Sequence, residues 1–197
     1  MVYQIIAISL MIAFYGIYFI KLFNQRKRGI QTIQLGNGKK GFPKFIEVAL
    51  KDVTYLVPLI EVISIFQNTY LDFVWLRITG ITLGVLGVTI FAVSVLTMRD
   101  SWRVGVPKDE NTELVTSGIY AFSRNPAFLG FDLIYIGIFA MFFNVSLLIV
   151  TLLVIVLLHL QIVNVEEDFL LETFGEDYLN YRKSVCRYFG RKNNRRR

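Results

Sequence analysis

Two short stretches hold the side chains best suited to chemistry. In SRNPAF, residues 123–128, an arginine, an amide and a proline stand together at the entrance to an apolar run. In EED, residues 166–168, three acids follow directly on another apolar run. A segment built only to cross lipid avoids such groups, because each carries a desolvation cost. Asn125 precedes a proline and is therefore pushed towards extended backbone, while Pro126 suits the first turn of a helix. Asn125 is thus a candidate N-cap, its side-chain oxygen available to a backbone N–H. A helix N-terminus there would offer N–H groups to an anionic part of a ligand. For Glu166, Glu167 and Asp168 two readings stand: a solvated helix start favoured by the macrodipole, or a carboxylate turned inward towards a cationic or hydroxyl-bearing cofactor.

Other chemistries are excluded or disfavoured by residue type. Cys186 is the only cysteine, so neither an internal disulfide nor a cysteine-based zinc site can form; no metal is expected. The single histidine, His159, lies within an apolar run and reads as a packed or locally hydrogen-bonded residue rather than a ligand. Neither a His–Asp nor a Cys–His pair is evident. Gly80 and Gly84 read as a helix-packing face, because a phosphate-cradling loop should follow a strand. With no aromatic-lined basic groove, nucleic-acid binding is not expected.

The elements that must hold these residues follow from composition. Of 197 residues, 54% are hydrophobic and mean hydropathy is +0.52, above the ordinary soluble range. A spanning helix needs about 20 mostly apolar residues. Residues 2–23 and 75–98 meet that length, and 127–143 with 146–163 form a tight helical hairpin. Residues 2–23 lack a signal peptide's basic start and small-residue cleavage site, and read as a retained anchor. Residues 45–66 are apolar overall but hold Glu47, Lys51, Asp52, Pro58 and Glu61; Glu47 and Lys51 could pair at i and i+4. That stretch reads as a further membrane helix with a polar inward face, an amphipathic surface helix being the competing reading.

The fold expected is therefore an all-α integral membrane protein with about five transmembrane helices and a cytoplasmic C-terminal amphipathic segment. It forms one membrane domain over 1–197, with N-terminal helices in 1–98 and a ligand-binding part in 99–197. Basic residues cluster in 21–44, in 99–125 and after Tyr181, whereas 67–72 and 144–145 contain none. Five spans put all three clusters on one face, which the positive-inside rule makes cytoplasmic. The N-terminus is then outside, the C-terminus inside, and the net charge of +6 favours contact with anionic membrane lipids. In 163–185, Leu170, Phe174, Tyr178 and Tyr181 recur at helical spacing and predict an element folded back on the bundle, broken or kinked at Gly175.

Taken together, LVTSGIYAFSRNPAFLG, a helical hairpin, and EEDFLLETFGEDYLNY resemble the isoprenylcysteine carboxyl methyltransferase family and its phospholipid-methyltransferase relatives, over 113–185. Members are membrane enzymes that use S-adenosylmethionine without a Rossmann domain. The resemblance implies cofactor binding by Thr112, Glu113, Leu114, Val115, Tyr120, Asn125, Pro126, Ala127 and Phe128, with Glu166 or Glu167. It also implies a lipidated or amphipathic acceptor, the carboxylate of a prenylated cysteine being one. The family usually has histidine where Asn125 stands, and an amide does not titrate. Arginine just upstream of the paired glutamates is replaced by Gln161, Ile162 and Asn164.

A carboxylate acceptor is already ionised at neutral pH, its ordinary pKa being about 3.5, so displacement at a sulfonium methyl requires no general base. Positioning and exclusion of water can supply roughly 7–11 kcal/mol of the barrier. Two other functions remain open from sequence. One is an NADPH-dependent reductase like the sterol reductases, with Arg124, Arg182 and Lys183 for the 2′-phosphate. The other is a non-catalytic membrane assembly protein.

Overall fold

The computed structural model describes residues 1–106 and 113–192. Its long helices are α1 (Val2–Lys27), α2 (Gly41–Gln67), α3 (Val74–Met98), α4 (Pro126–Met141), α5 (Val145–Gln161) and α6 (Glu167–Ser184). A 3-10 turn, Gly118–Ala121, precedes α4, and a π turn, Ile162–Glu166, joins α5 to α6. Among the described residues there is no sheet. Single bridges tie Ile33 to Val104 and Val185 to Arg191.

Among the described residues, three helices are long and apolar enough to cross a membrane: Val2–Lys27, Val74–Ser101 and Val145–Ser184. The last joins α5 to α6, and its apolar sequence gives way at Glu166. α4 is apolar but shorter, and α2 falls outside this group because its acids and lysines interrupt the run. Ile12, Phe19, Trp75, Leu96 and Leu152 are among the large apolar side chains left on the outside, as lipid-facing helices require.

α3 and α4 are held close by small residues. A Cβ added at Gly80 would lie 2.6 Å from the Gly137 carbonyl oxygen, and one at Gly137 would lie 2.7 Å from that of Gly80. The glycine spacing in 75–98 therefore packs helices within one chain. Beside this seam, Phe14 of α1 meets Phe91 of α3 and Phe131 of α4, and Trp102 stands edge-on to Phe91. α2 packs on α5. Asn144 caps α5 by accepting from the Leu147 amide, and its own amide reaches Ser64 of α2.

Glu47 pairs elsewhere than the i, i+4 spacing suggests. It is fully buried and meets Lys39 in the α1–α2 connection and the Gly36 amide at 2.7 Å, while Lys51 is exposed. A buried carboxylate needs several donors at once, and the folded-back connection supplies them where a single helix face does not. α6 does fold back as its spacing predicts: Tyr178 and Tyr181 are buried, with Leu170 and Phe174 packed beside them. Gly175 interrupts it at φ +49°, ψ −121°, outside helical space.

Candidate functional site

The corner before α4 is built from backbone. The 3-10 turn ends at Ala121, and Tyr181 of α6 donates its hydroxyl to the Tyr120 carbonyl at 2.6 Å. The chain after α6 then lies along the corner. Amides of Arg124 and Asn125 donate to the carbonyls of Cys186 and Arg187, at 3.1 and 3.2 Å, and the Gly190 amide donates to Phe122 at 2.7 Å. Pro126 opens α4 at its first turn, as expected. Asn125 occupies the N-cap position but makes no side-chain cap bond; its amide instead donates to Arg187 O at 3.2 Å. The Arg187 carbonyl, brought in from the C-terminal segment, competes successfully for that side chain.

Beneath the corner lies a buried charge cluster. The Glu167 carboxylate, 6% exposed, accepts from Arg187 at 2.7 and 3.1 Å and meets Arg124 Nη2 at 3.0 Å. Arg124 Nη1 donates to the Tyr178 hydroxyl at 2.6 Å, while its buried Nε has no partner among the described residues. Burial alone would raise the Glu167 pKa. The hydrogen bonds from Arg187 and the charge of Arg124 outweigh it and hold the carboxyl below its ordinary value. Glu167 is thus committed to arginines, and Arg124 is committed to Glu167 rather than being available to a nucleotide phosphate.

Glu166 stands apart from these arginines. Its Oε1 accepts from Gln161 Nε2 at 3.3 Å, and the same amide donates to Glu47 Oε1 at 3.1 Å. Burial pushes the Glu166 carboxyl up to about 7, opposed by Gln161 and Lys39 and assisted by Glu47. Gln161 is fully buried, and its Oε1 has no partner among the described residues.

Gln161 also lines a large cavity of about 650 Å³. Tyr15 and Tyr18 of α1, Thr54 and Pro58 of α2, and Ala127 and Phe128 of α4 are in its wall. The lining follows α1 from Leu22 to Ile8, about 21 Å at 1.5 Å rise per residue. Among the described residues, the charged side chains in its lining are Lys51 and Arg103, both cationic. A mostly apolar chamber with a few polar and basic side chains in its wall fits an amphiphile better than a water-soluble metabolite.

The structure thus brings Tyr120, Asn125, Pro126, Ala127 and Phe128 into one corner, ties that corner to Glu167 through Arg124 and Arg187, and connects Glu166 to the cavity through Gln161. Glu113 is exposed; Leu114 packs near Tyr178 and Tyr181, and Val115 is half-buried. Thr112 lies outside the described residues. Sequence reasoning missed Glu47, Gln161 and Arg187 as site residues, since each meets the site only through long-range contacts. His159 is exposed rather than packed, and its Nδ1 lies 2.6 Å from the hydroxyl of Tyr188, a partner 29 residues away rather than a local one.

Residues 75–177 match the profile of a family described as phospholipid methyltransferase. Among curated proteins, the chain is 28% identical over 185 residues to a protein-S-isoprenylcysteine O-methyltransferase of Saccharomyces cerevisiae, covering 92% of this chain and 75% of that one. It is 31% identical over 124 residues to the protein of the same name from Mus musculus, covering 62% of this chain and 44% of the mouse protein. A Schizosaccharomyces pombe protein of that name is 28% identical over 151 residues, covering 76% of this chain and 58% of its own length.

Proposed function

This chain belongs to the phospholipid methyltransferase family, and we propose that it transfers a methyl group from S-adenosylmethionine to a lipid-tailed acceptor, the carboxylate of a prenylated cysteine being the leading candidate. The observation that carries this reading is the apolar cavity walled by α1 and α2, whose lining includes Ala127 and Phe128 at the start of α4 and Gln161 at the end of α5. Its length along α1, about 21 Å, suits an extended isoprenoid chain. The relatives named for methylation of isoprenylcysteine support the same acceptor.

In this reading α1 to α5 each cross the membrane, with the basic segments and both ligand sites on the cytoplasmic face. Glu113 to Val115, Tyr120 and Asn125 to Phe128 surround the donor, with the N-terminal amides of α4 favouring its carboxylate. S-adenosylmethionine supplies an electrophilic methyl on a sulfonium. Glu166, away from the arginines, provides the carboxylate that faces the donor's cationic part, and Glu167 anchors the corner. Lys51 and Arg103 draw an anionic head group to the cavity mouth. Transfer in line to the acceptor carboxylate would exchange an S–CH3 bond for an O–CH3 bond and release the neutral thioether, S-adenosylhomocysteine; the chain's contribution would be to align the two and keep water out.

Arg124, buried against Glu167 and Tyr178, offers no support to a reductase's nucleotide phosphate. The test is mass spectrometry of acceptors incubated with the full chain in lipid nanodiscs and methyl-labelled S-adenosylmethionine. A labelled methyl ester on an S-prenylcysteine analogue is expected. A folded sample that labels neither this analogue nor any amine-headed lipid would overturn the proposal.

A further inference from the structure

The junction between the cavity and the paired glutamates includes a residue from well outside the family-matched segment. Glu47 is on α2, fully buried, and fixed by the Gly36 amide, by Lys39 and by Gln161. Gln161, from the end of α5, spends its amide nitrogen on two carboxylates at once, Glu47 Oε1 and Glu166 Oε1. Both carboxylates are acceptors, so the amide nitrogen must face them and the unpartnered oxygen is fixed by default. These two bonds orient the Gln161 side chain between the carboxylates. α2 also forms one wall of the cavity through Leu50, Thr54 and Pro58.

We propose that Glu47 and Gln161 are positioning residues of the methyl-donor site, together aiming the Glu166 carboxylate and coupling it to the helix that walls the acceptor cavity. This rests on the reading of Glu166 as the donor's carboxylate partner. Neither Glu47 nor Gln161 is asked to touch the reacting atoms. Their work is electrostatic and geometric: Gln161 donates to the ionised form of Glu166, and Glu47 opposes that ionisation across the shared amide.

The groups acting on Glu166 come from several elements. Gln161 at the end of α5 and Lys39 in the α1–α2 connection favour the ionised carboxylate, while Glu47 of α2 disfavours it. The Glu166 charge in turn disfavours ionisation of Tyr120 in the 3-10 turn. Loss of Gln161 or Lys39 therefore moves its titration upward, and loss of the Glu47 charge moves it downward. Opposite displacements from neighbouring substitutions are a signature that simple loss of packing does not produce.

The experiment is calorimetric titration of S-adenosylmethionine into the full chain in nanodiscs from pH 5.5 to 9. It compares the wild type with Glu47→Gln, Gln161→Met and Lys39→Met, each first checked for a cooperative thermal transition. Wild-type affinity should rise with pH through about 7. The midpoint should fall in Glu47→Gln and rise in Gln161→Met and Lys39→Met. A rise of one pH unit makes binding about fivefold weaker at pH 7, converging on the wild type near pH 9. The donor's own titration is common to all four proteins. Lys39, on a connecting segment, keeps the test available if either buried substitution fails to fold. Unchanged midpoints, or midpoints displaced in one common direction, would overturn the positioning role while leaving the donor site standing. Absence of donor binding by folded wild type would overturn the underlying functional reading instead.

Discussion

Replacing Glu167 by glutamine should be among the most costly single-atom-scale changes available in this protein. The carboxylate is 6% exposed and faces Arg124, whose side chain is 4% exposed, at 3.0 Å. Without the negative charge, Arg124 retains the Tyr178 hydroxyl and a buried Nε that already has no partner. Breaking a buried pair in this way costs about 3–5 kcal/mol, because one charge is left uncompensated. Arg187→Met removes the other two hydrogen bonds, but that side chain is 30% exposed and Glu167 keeps Arg124; a loss of about 1–2 kcal/mol follows from the usual value of a partly exposed charged hydrogen bond. Arg182, at 3.9 Å and 45% exposed, adds little. Because the residues share one network, the double substitution should cost less than the separate losses combined. Chemical denaturation in mixed micelles measures each difference. A Glu167→Gln protein within about 0.5 kcal/mol of the wild type, or one less affected than Arg187→Met, would refute the assignment of Glu167 as the anchor of the α4 corner.

Other outcomes follow from the same geometry. Gly80→Ala places a methyl 2.6 Å from the Gly137 carbonyl and should lower stability by about 1–3 kcal/mol, whereas Gly16→Ala, with nothing within 4 Å of the added carbon, should be neutral or slightly stabilising by thermal melting. Thr54→Trp fills part of the cavity and should raise the acceptor KM about tenfold while leaving donor affinity unchanged, as read by turnover and calorimetry. The Glu167 carboxyl lies below its ordinary value of 4.5, so its stabilisation is complete above that pH and is lost as pH falls through the lower, folded-state value. The stability difference between the wild type and Glu167→Gln, read by chemical denaturation at each pH, should accordingly stay constant above about pH 4.5 and shrink below it. A difference that does not change with pH through that range would contradict the linkage.

Much of the helical framework was legible because it depends on local patterns. The apolar runs locate α1 and α3, Pro126 marks the start of α4, Gly175 marks the break in α6, and Leu170, Phe174, Tyr178 and Tyr181 reveal its buried face. Patterns along one helix were less informative where partners arrive from elsewhere. Glu47 looked ready for Lys51 but meets Lys39, Gly36 and Gln161. Asn125 looked ready to cap α4 but turns to Arg187, 62 residues away. The paired glutamates are adjacent in sequence yet face different surroundings, Glu167 the arginines and Glu166 the Gln161 amide. The π turn at Ile162–Glu166 alters the helical phase between α5 and those acids, which no apolar periodicity announces.

The central claim is spatial: the donor lies between the α4 corner and Glu166, beside the cavity. Its most direct test is ultraviolet cross-linking of labelled S-adenosylmethionine to the full chain in nanodiscs, followed by peptide mapping. Label should concentrate in peptides spanning 113–128 and 161–167 and be displaced by excess unlabelled S-adenosylhomocysteine. Displaceable label confined to other segments, or no displaceable label on folded protein, would contradict the account.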